Sequence, residues 1–301
     1  MTAYDEVRTL LDKGGIVILD GGTGTELQLR GVPMDGFAWS AAALDTHPGT
    51  VRAVHEDYVR AGADVLITNT YSTAPHVLEK AGLSDRVSAM NRGAVALARE
   101  AVDAAAGERP VAVAGAISSF RVSVTPVGRL EASYREQADL LAEAGVDLIA
   151  LEMMSAPEYA GPAIRAAVAT GLPVWIGFSC RLGAGGEVEF FDGSPFVDGL
   201  TKDLALLADV PPDDLAVTVM HTLTEDTAAA LEIVRRHWPG PLGAYAHAGR
   251  WVDPEWEFVD QISPGDYLAA ARGWVAMGAR IIGGCCGIRP AHIRLLREEL
   301  A

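Results

Sequence analysis

The chain has 301 residues and is half hydrophobic, enough for a substantial core in one large α/β domain or two modest ones. Forty acidic against twenty-four basic side chains give a formal charge of −16, which repels nucleic-acid backbones and anionic membrane surfaces while remaining compatible with a cationic small molecule. The opening "MTAYDEVRTLLDKGG" lacks a basic-then-apolar leader, and no stretch of about 18 uninterrupted apolar residues follows, so a soluble, cytoplasmic protein is expected.

Eight short runs rich in Val, Ile, Leu and Ala alternate with longer segments of helical periodicity. In chain order they are "IVILDGG" from Ile16, "ADVLITNTY" from Ala63, "PVAVAGAI" from Pro110, "VDLIALEMM" from Val146, "PVWIGFSC" from Pro173, "LAVTVMHT" from Leu215, "LGAYAHAG" from Leu242 and "ARIIGGCCG" from Ala279. Between them lie helices such as Pro48–Ala61, with Val51, Val54, His55, Tyr58 and Val59 on one stripe. The echo "RAGAD" at Arg60, "EAGVD" at Glu143 and "AMGAR" at Ala276 places a glycine where each helix ends before a strand. Strands apolar on both faces belong to a parallel sheet covered by helices. Eight such units predict a single (β/α)8 TIM barrel over residues 1–301, with substantial loops at 119–131, 181–196 and 250–263 on its catalytic face.

The ends of those strands converge on one mouth, and they offer Asp20, Gly21, Gly22, Asn69, Tyr71, Ser118, Glu152, Cys180, His221, His247, Cys285 and Cys286. Three cysteines give no disulfide framework. Adjacent residues, about 3.8 Å apart at Cα, also fall short of the usual disulfide range of about 4.4 to 6.8 Å. Cys285 and Cys286 are either small packed residues or ligands, and with His221 they make a three-ligand zinc site that leaves a fourth position for substrate. The flanking Gly283, Gly284 and Gly287 supply the backbone freedom that lets both thiols face one side. Cys180 reads as a packed thiol. His247 reads as a ligand, a substrate contact or a partner of a ligand. His47, His55, His76, His237 and His292 read as surface or satisfied core residues. Asp20 and Glu152 either bind an ammonium group, orient a ligand or cap a helix. "DGGTGTELQLRG" from Asp20 matches neither glycine-rich phosphate motif, so close backbone approach to a small substrate suits it better.

Taken together, "ILDGGTGTELQLRG", "WSAAAL" at Trp39, "VHEDYVRAGADVLITNTY", Glu152, "FFDGSP" near Asp192 and "GGCCGIRPAHI" resemble the homocysteine S-methyltransferases over residues 16–300. The resemblance implies a barrel holding catalytic Zn2+, with Cys285 and Cys286 as ligands and Asp20, Gly21, Gly22 and Glu152 as contacts for an amino-acid thiol acceptor. It implies methyl transfer from an onium donor, S-methylmethionine or S-adenosylmethionine, and a place in methionine biosynthesis. Aromatic faces such as Tyr71, Trp39 and Trp251 suit a cationic donor. The implied partners are thus a small-molecule thiol and a cationic methyl donor; a homo-oligomer is compatible with the sequence.

Three departures fall at substrate-facing strand ends. Met220 and His221 stand where the family has Asn and its third zinc cysteine. Ala246, His247 and Ala248 replace Pro, Asn and Ser, and "GAISSF" from Gly115 replaces a "GSVGP"-like turn. Imidazole for thiolate makes the protein–zinc unit one charge less negative. Two other readings follow: a zinc-dependent hydrolase or lyase acting on a non-thiol substrate, and a non-catalytic homologue that binds metal or ligand without turnover.

Overall fold

The eight apolar runs form eight parallel strands: β1 (Val17–Ile18), β2 (Val65–Ile67), β3 (Ala112–Ser118), β4 (Leu148–Met154), β5 (Val174–Phe178), β6 (Leu215–Leu223), β7 (Leu242–His247) and β8 (Ile281–Ile282). This computed structural model describes residues 2–253, 255–257 and 261–301. Each strand lies beside its neighbours in sequence, in the order β1-β8-β7-β6-β5-β4-β3-β2. A parallel bridge between Leu19 and Val65 joins β1 to β2, giving the expected (β/α)8 TIM barrel.

Inside the barrel, Ala112, Ala114 and Ala150 leave room for the large rings of Trp175 and Tyr245. The helix Ala3–Asp12 adds Tyr4 and Val7 to this inner core. Trp175 Nε1 donates to the Tyr4 hydroxyl at 3.3 Å, satisfying a buried indole N–H. A larger apolar layer, including Tyr58, Leu66, Ile149 and Ile176, fills the space between strands and helices.

Gly62, Gly145 and Gly278 have φ of 108°, 89° and 106°, the left-handed conformation that the repeated glycine predicted. The acids of that echo do a job the sequence reading left unassigned. Asp64 accepts the Ile18 N–H at 3.0 Å and Arg297 Nη1 at 2.9 Å. Asp147 accepts the Val113 N–H at 2.7 Å and Arg99 Nη1 at 2.8 Å. Each ties the start of its strand to the strand before it. In the third copy Arg280 instead donates to the carbonyls of Val275 and Ala279 at 3.1 and 2.8 Å.

Two of the expected loops carry antiparallel hairpins, Cys180–Leu182 with Val188–Phe190 and Arg250–Val252 with Glu255–Glu257. Positions 254 and 258–260 of the loop 250–263 lie outside the described residues. Cys180 opens the first hairpin rather than closing β5. It is buried 3.6 Å from Thr222 Oγ1, and burial pushes its thiol up to about 12, in keeping with a packed role. No helix among the described residues is long and apolar enough to cross a membrane.

His55 corrects the expectation of a surface or satisfied core histidine. It is fully buried, and neither ring nitrogen has a partner among the described residues. Burial lowers its pKa to about 4. Between about pH 6.5 and 4 the unfolded chain therefore binds a proton that the native chain refuses, so stability present above this window is lost as the pH falls through it. His55→Leu is expected to reduce the drop in Tm between pH 7.5 and pH 5 and to leave neutral-pH stability unchanged or about 1 kcal/mol higher, because an orphaned N–H is removed. Thermal unfolding at the two pH values checks this; an unaltered drop would count against it.

Candidate active site

The loop after β8 is held from both sides by backbone bonds. Cys285 N–H donates to Ala246 O at 2.9 Å and Ala248 N–H donates to Cys286 O at 2.9 Å, while Gly284 N–H reaches Asp20 O at 2.9 Å. On the β1 side, Gly22 N–H donates to Ile288 O at 3.0 Å and Thr25 Oγ1 accepts from Gly287 N–H at 3.0 Å. Gly287, at φ 80°, is the turn that allows this path, and a Cβ there would sit 2.4 Å from Ala248 O. The path brings the two thiols to one side, Sγ to Sγ 3.9 Å, with both cysteines free.

The third group comes from β6. Its pairing with β7 shifts register between Met220 and Leu223, and His221 takes φ 46°, a conformation costing a non-glycine residue on the order of 1 kcal/mol or more. This irregularity delivers His221 Nδ1 to 3.5 Å from Cys285 Sγ. One ligand atom from each of His221, Cys285 and Cys286 lies within 4.8 Å of the others. Burial, and then the neighbouring His247, holds the His221 pKa well below its ordinary value, leaving a neutral imidazole with a lone pair to donate.

Two cavities meet at these thiols. The inner one, about 60 Å³, is lined by Gly21, Gly22, Asn69, Tyr71, Glu152, Cys285 and Cys286 among others. Burial raises the Glu152 pKa to about 8, so it is largely protonated at neutral pH while the cavity is empty of cations. Asp20 lies behind this cavity rather than on its wall. Its Oδ2 accepts Ile67 N–H at 2.8 Å and its buried Oδ1 has no partner, while burial, with the Glu152 charge adding to it, pushes its pKa well up. Gly21 and Gly22 pack the β1 turn onto the double-cysteine loop, since added Cβ atoms would lie 2.3 Å from Ile288 O and 2.8 Å from Cys285 O. Asn69 is spent on Ser40, accepting its hydroxyl at 2.9 Å and donating to its carbonyl at 3.0 Å.

The outer cavity, about 370 Å³, is walled by Trp39, Tyr71, Phe120, Phe191, Trp251 and Trp256, with Cys286, His221, Met153, Ser123 and Arg121 completing it. Trp39 lies 6.0 Å from Tyr71 and 5.7 Å from Trp251 between ring centres, and Tyr71 lies 5.4 Å from Phe120. The Tyr71 hydroxyl donates to Met153 Sδ at 2.8 Å. Trp39, Tyr71 and Cys286 line both cavities, so occupants of the two would meet at Cys286.

Other predicted positions stand apart from this meeting point. His247 lines neither cavity; its ring centre is 4.7 Å from His221 and 5.3 Å from Trp256, and it faces an outer groove with Thr224 and Gly249. Asp192 is exposed and accepts the Ser194 N–H at 2.9 Å, a turn role, while its neighbour Phe191 reaches the outer cavity. Trp256 was missed. It packs 5.8 Å from His221 and is tethered to Gln28 by two reciprocal bonds of 2.9 and 3.1 Å. Gln28 lies in the glycine-rich segment whose backbone alone had drawn notice.

Residues 17–300 match the homocysteine S-methyltransferase family. The chain belongs to that family. Homocysteine S-methyltransferase of Escherichia coli K12 is 33% identical to it, the match covering 99% of this chain and all of that one. Selenocysteine methyltransferase of Astragalus bisulcatus is 26% identical over 96% of this chain and 93% of its own. The metallated form of the E. coli homocysteine methyltransferase MmuM superposes with a TM-score of 0.79 at 31% identity, covering 97% of this chain and 99% of that one. The protein is therefore an enzyme of the homocysteine S-methyltransferase kind, which removes the non-catalytic reading.

Proposed function

We propose that this chain, as a single barrel domain, moves a methyl group from an onium donor, S-methylmethionine or S-adenosylmethionine, to the thiol of homocysteine or a close relative of it. The observation that carries the reading is the pair of cavities sharing Cys286, one small and acid-lined, the other aromatic.

Two thiols and a neutral imidazole, with their donor atoms within 4.8 Å of one another, fit zinc in its three-ligand catalytic form, so His221, Cys285 and Cys286 would hold it. Bound there, zinc supplies Lewis acidity that favours the ionised form of a thiol at neutral pH. The residues of the chain do the rest. Glu152 gives up its proton when the acceptor's ammonium group arrives, because the pairing offsets the burial that keeps the carboxyl neutral; Asp20, held towards its own neutral form by burial, ties the turn after β1 to Ile67 behind the cavity. Gly21 and Gly22 keep side chains off that wall.

Across the shared boundary, Trp39, Tyr71, Phe120 and Trp251 offer ring faces to a positively charged donor, each such contact contributing about 0.5–2 kcal/mol. The formal charge of −16 favours its approach. In the transfer, the bond from methyl carbon to the onium centre breaks with its electron pair staying on the leaving group, the new carbon–sulfur bond forms on the acceptor, and the acceptor's thiol proton is released to solvent. Holding both reactants in line at Cys286 converts a bimolecular step into one within a complex.

Purified protein incubated with homocysteine and either donor should form methionine and carry about one zinc per chain by elemental analysis. Absence of both would overturn the reading; turnover of the donor that persists without any thiol would replace it with hydrolysis or elimination at the same residues.

A further inference from the structure

Among the described residues lining the aromatic cavity, one carries a formal charge, Arg121. It follows β3 in the "GAISSFR" stretch and holds a left-handed backbone at φ 58°, unusual for a residue with a side chain. Its guanidinium carbon lies 5.1 Å from the centre of the Phe37 ring and 5.2 Å from that of Phe120, contacts that fix its plane. Nη2 donates to Gly36 O at 3.1 Å and pairs with Asp253. Nε is buried without a partner, and no bond within the described residues engages Nη1. An arginine that keeps part of its fork free beside a cavity is prepared for a planar anion.

Resting on the onium-donor reading above, we infer that Arg121 binds the carboxylate of the methyl donor, so that the cavity recognises a zwitterion: the onium centre against the aromatic rings, the carboxylate on the guanidinium. Asp253, 56% exposed on its hairpin, is then an exchangeable counter-ion that the incoming carboxylate displaces or shares. Arg121 thus becomes the residue that selects such donors over simple sulfonium or quaternary ammonium cations, which lack the carboxylate.

The test compares S-methylmethionine with its methyl ester, which keeps the sulfonium and loses the anionic carboxylate. Wild type is expected to prefer the acid by about tenfold or more in kcat/KM. Arg121→Met should collapse that preference towards one by losing rate on the acid, and Arg121→Lys should recover part of it. Asp253→Asn should keep or raise the preference. An Arg121 that served only as a strut to Asp253 would instead make Arg121→Met and Asp253→Asn lose activity alike on both donors with the preference unchanged, and that outcome overturns the inference. Tryptophan-fluorescence titration of the same two compounds reads the question without turnover. If no methyl reaches homocysteine in any protein, the donor reading fails, while tighter binding of the acid than the ester in wild type alone still supports an anion-binding role for Arg121, and equal binding overturns it.

Discussion

Replacing Cys285 or Cys286 by serine is expected to lower kcat/KM for methyl transfer by about a thousandfold or more, some 4 kcal/mol in the transition state, and to strip the metal. The two sulfur atoms face one side and stand 3.9 Å apart because the loop 283–288 is bonded to β7 on one flank and to the turn after β1 on the other. Serine preserves that backbone. Its hydroxyl stays protonated at neutral pH and is a poor ligand for a borderline-soft ion, so the loss falls on chemistry rather than folding. Cys286 also lies on the boundary of both cavities, where acceptor and donor must meet. Cys180→Ser is the matching control: that thiol is buried beside Thr222 and lines neither cavity, so activity per folded molecule should be unchanged while Tm falls modestly. Elemental analysis alongside steady-state rates checks the set, and full activity in Cys285→Ser would contradict it.

Much of the barrel could be read from residues alone, because parallel strands buried on both faces leave uninterrupted apolar runs and each glycine of the echo marks a left-handed helix end. The double cysteine with His221 was legible for the same kind of reason, since three potential ligands fell at strand ends that any such barrel brings together. What escaped depends on backbone irregularity and on distant pairing. The bulge that turns His221 inward, and the similar one that puts Met153 at φ 52°, occur at residues that carry no glycine-like signature. His247 ends β7 in an apparently equivalent position, yet with that bulge beside it the ring packs against His221 and lines neither of the two cavities. Trp256 sits in the hairpin after β7, and its place at the site combines ring contacts with His221 and His247 and a grip on its backbone by Gln28, far away in sequence. Nothing in the sequence around Arg121 signals its place, which depends on the rings of Phe37 and Phe120, 5.1 and 5.2 Å from its guanidinium carbon.

The exchange at His221 yields the second large effect. His221→Ala is expected to lower zinc affinity by at least one to two orders of magnitude, since it removes one of three donor groups and opens space beside His247. His221→Cys should retain zinc, because a third thiol at the same strand end restores the residue type that the rest of the family resemblance leads one to expect there. The left-handed φ of 46° is no easier for cysteine than for histidine, so the substitution brings no relief of backbone strain and no gain in Tm. Its mark is electronic: three thiolates in place of two make the site more negative by one charge. Cobalt substitution separates the outcomes, with stronger sulfur-to-metal absorption in His221→Cys than in wild type and weak, easily chelated binding in His221→Ala. Competition with a chromophoric chelator gives the affinities directly. Undiminished zinc affinity in His221→Ala would remove His221 from the ligand set and leave the two cysteines to recruit a different third group, for which the adjacent His247, with its buried Nδ1 unpartnered, is the nearest imidazole among the described residues.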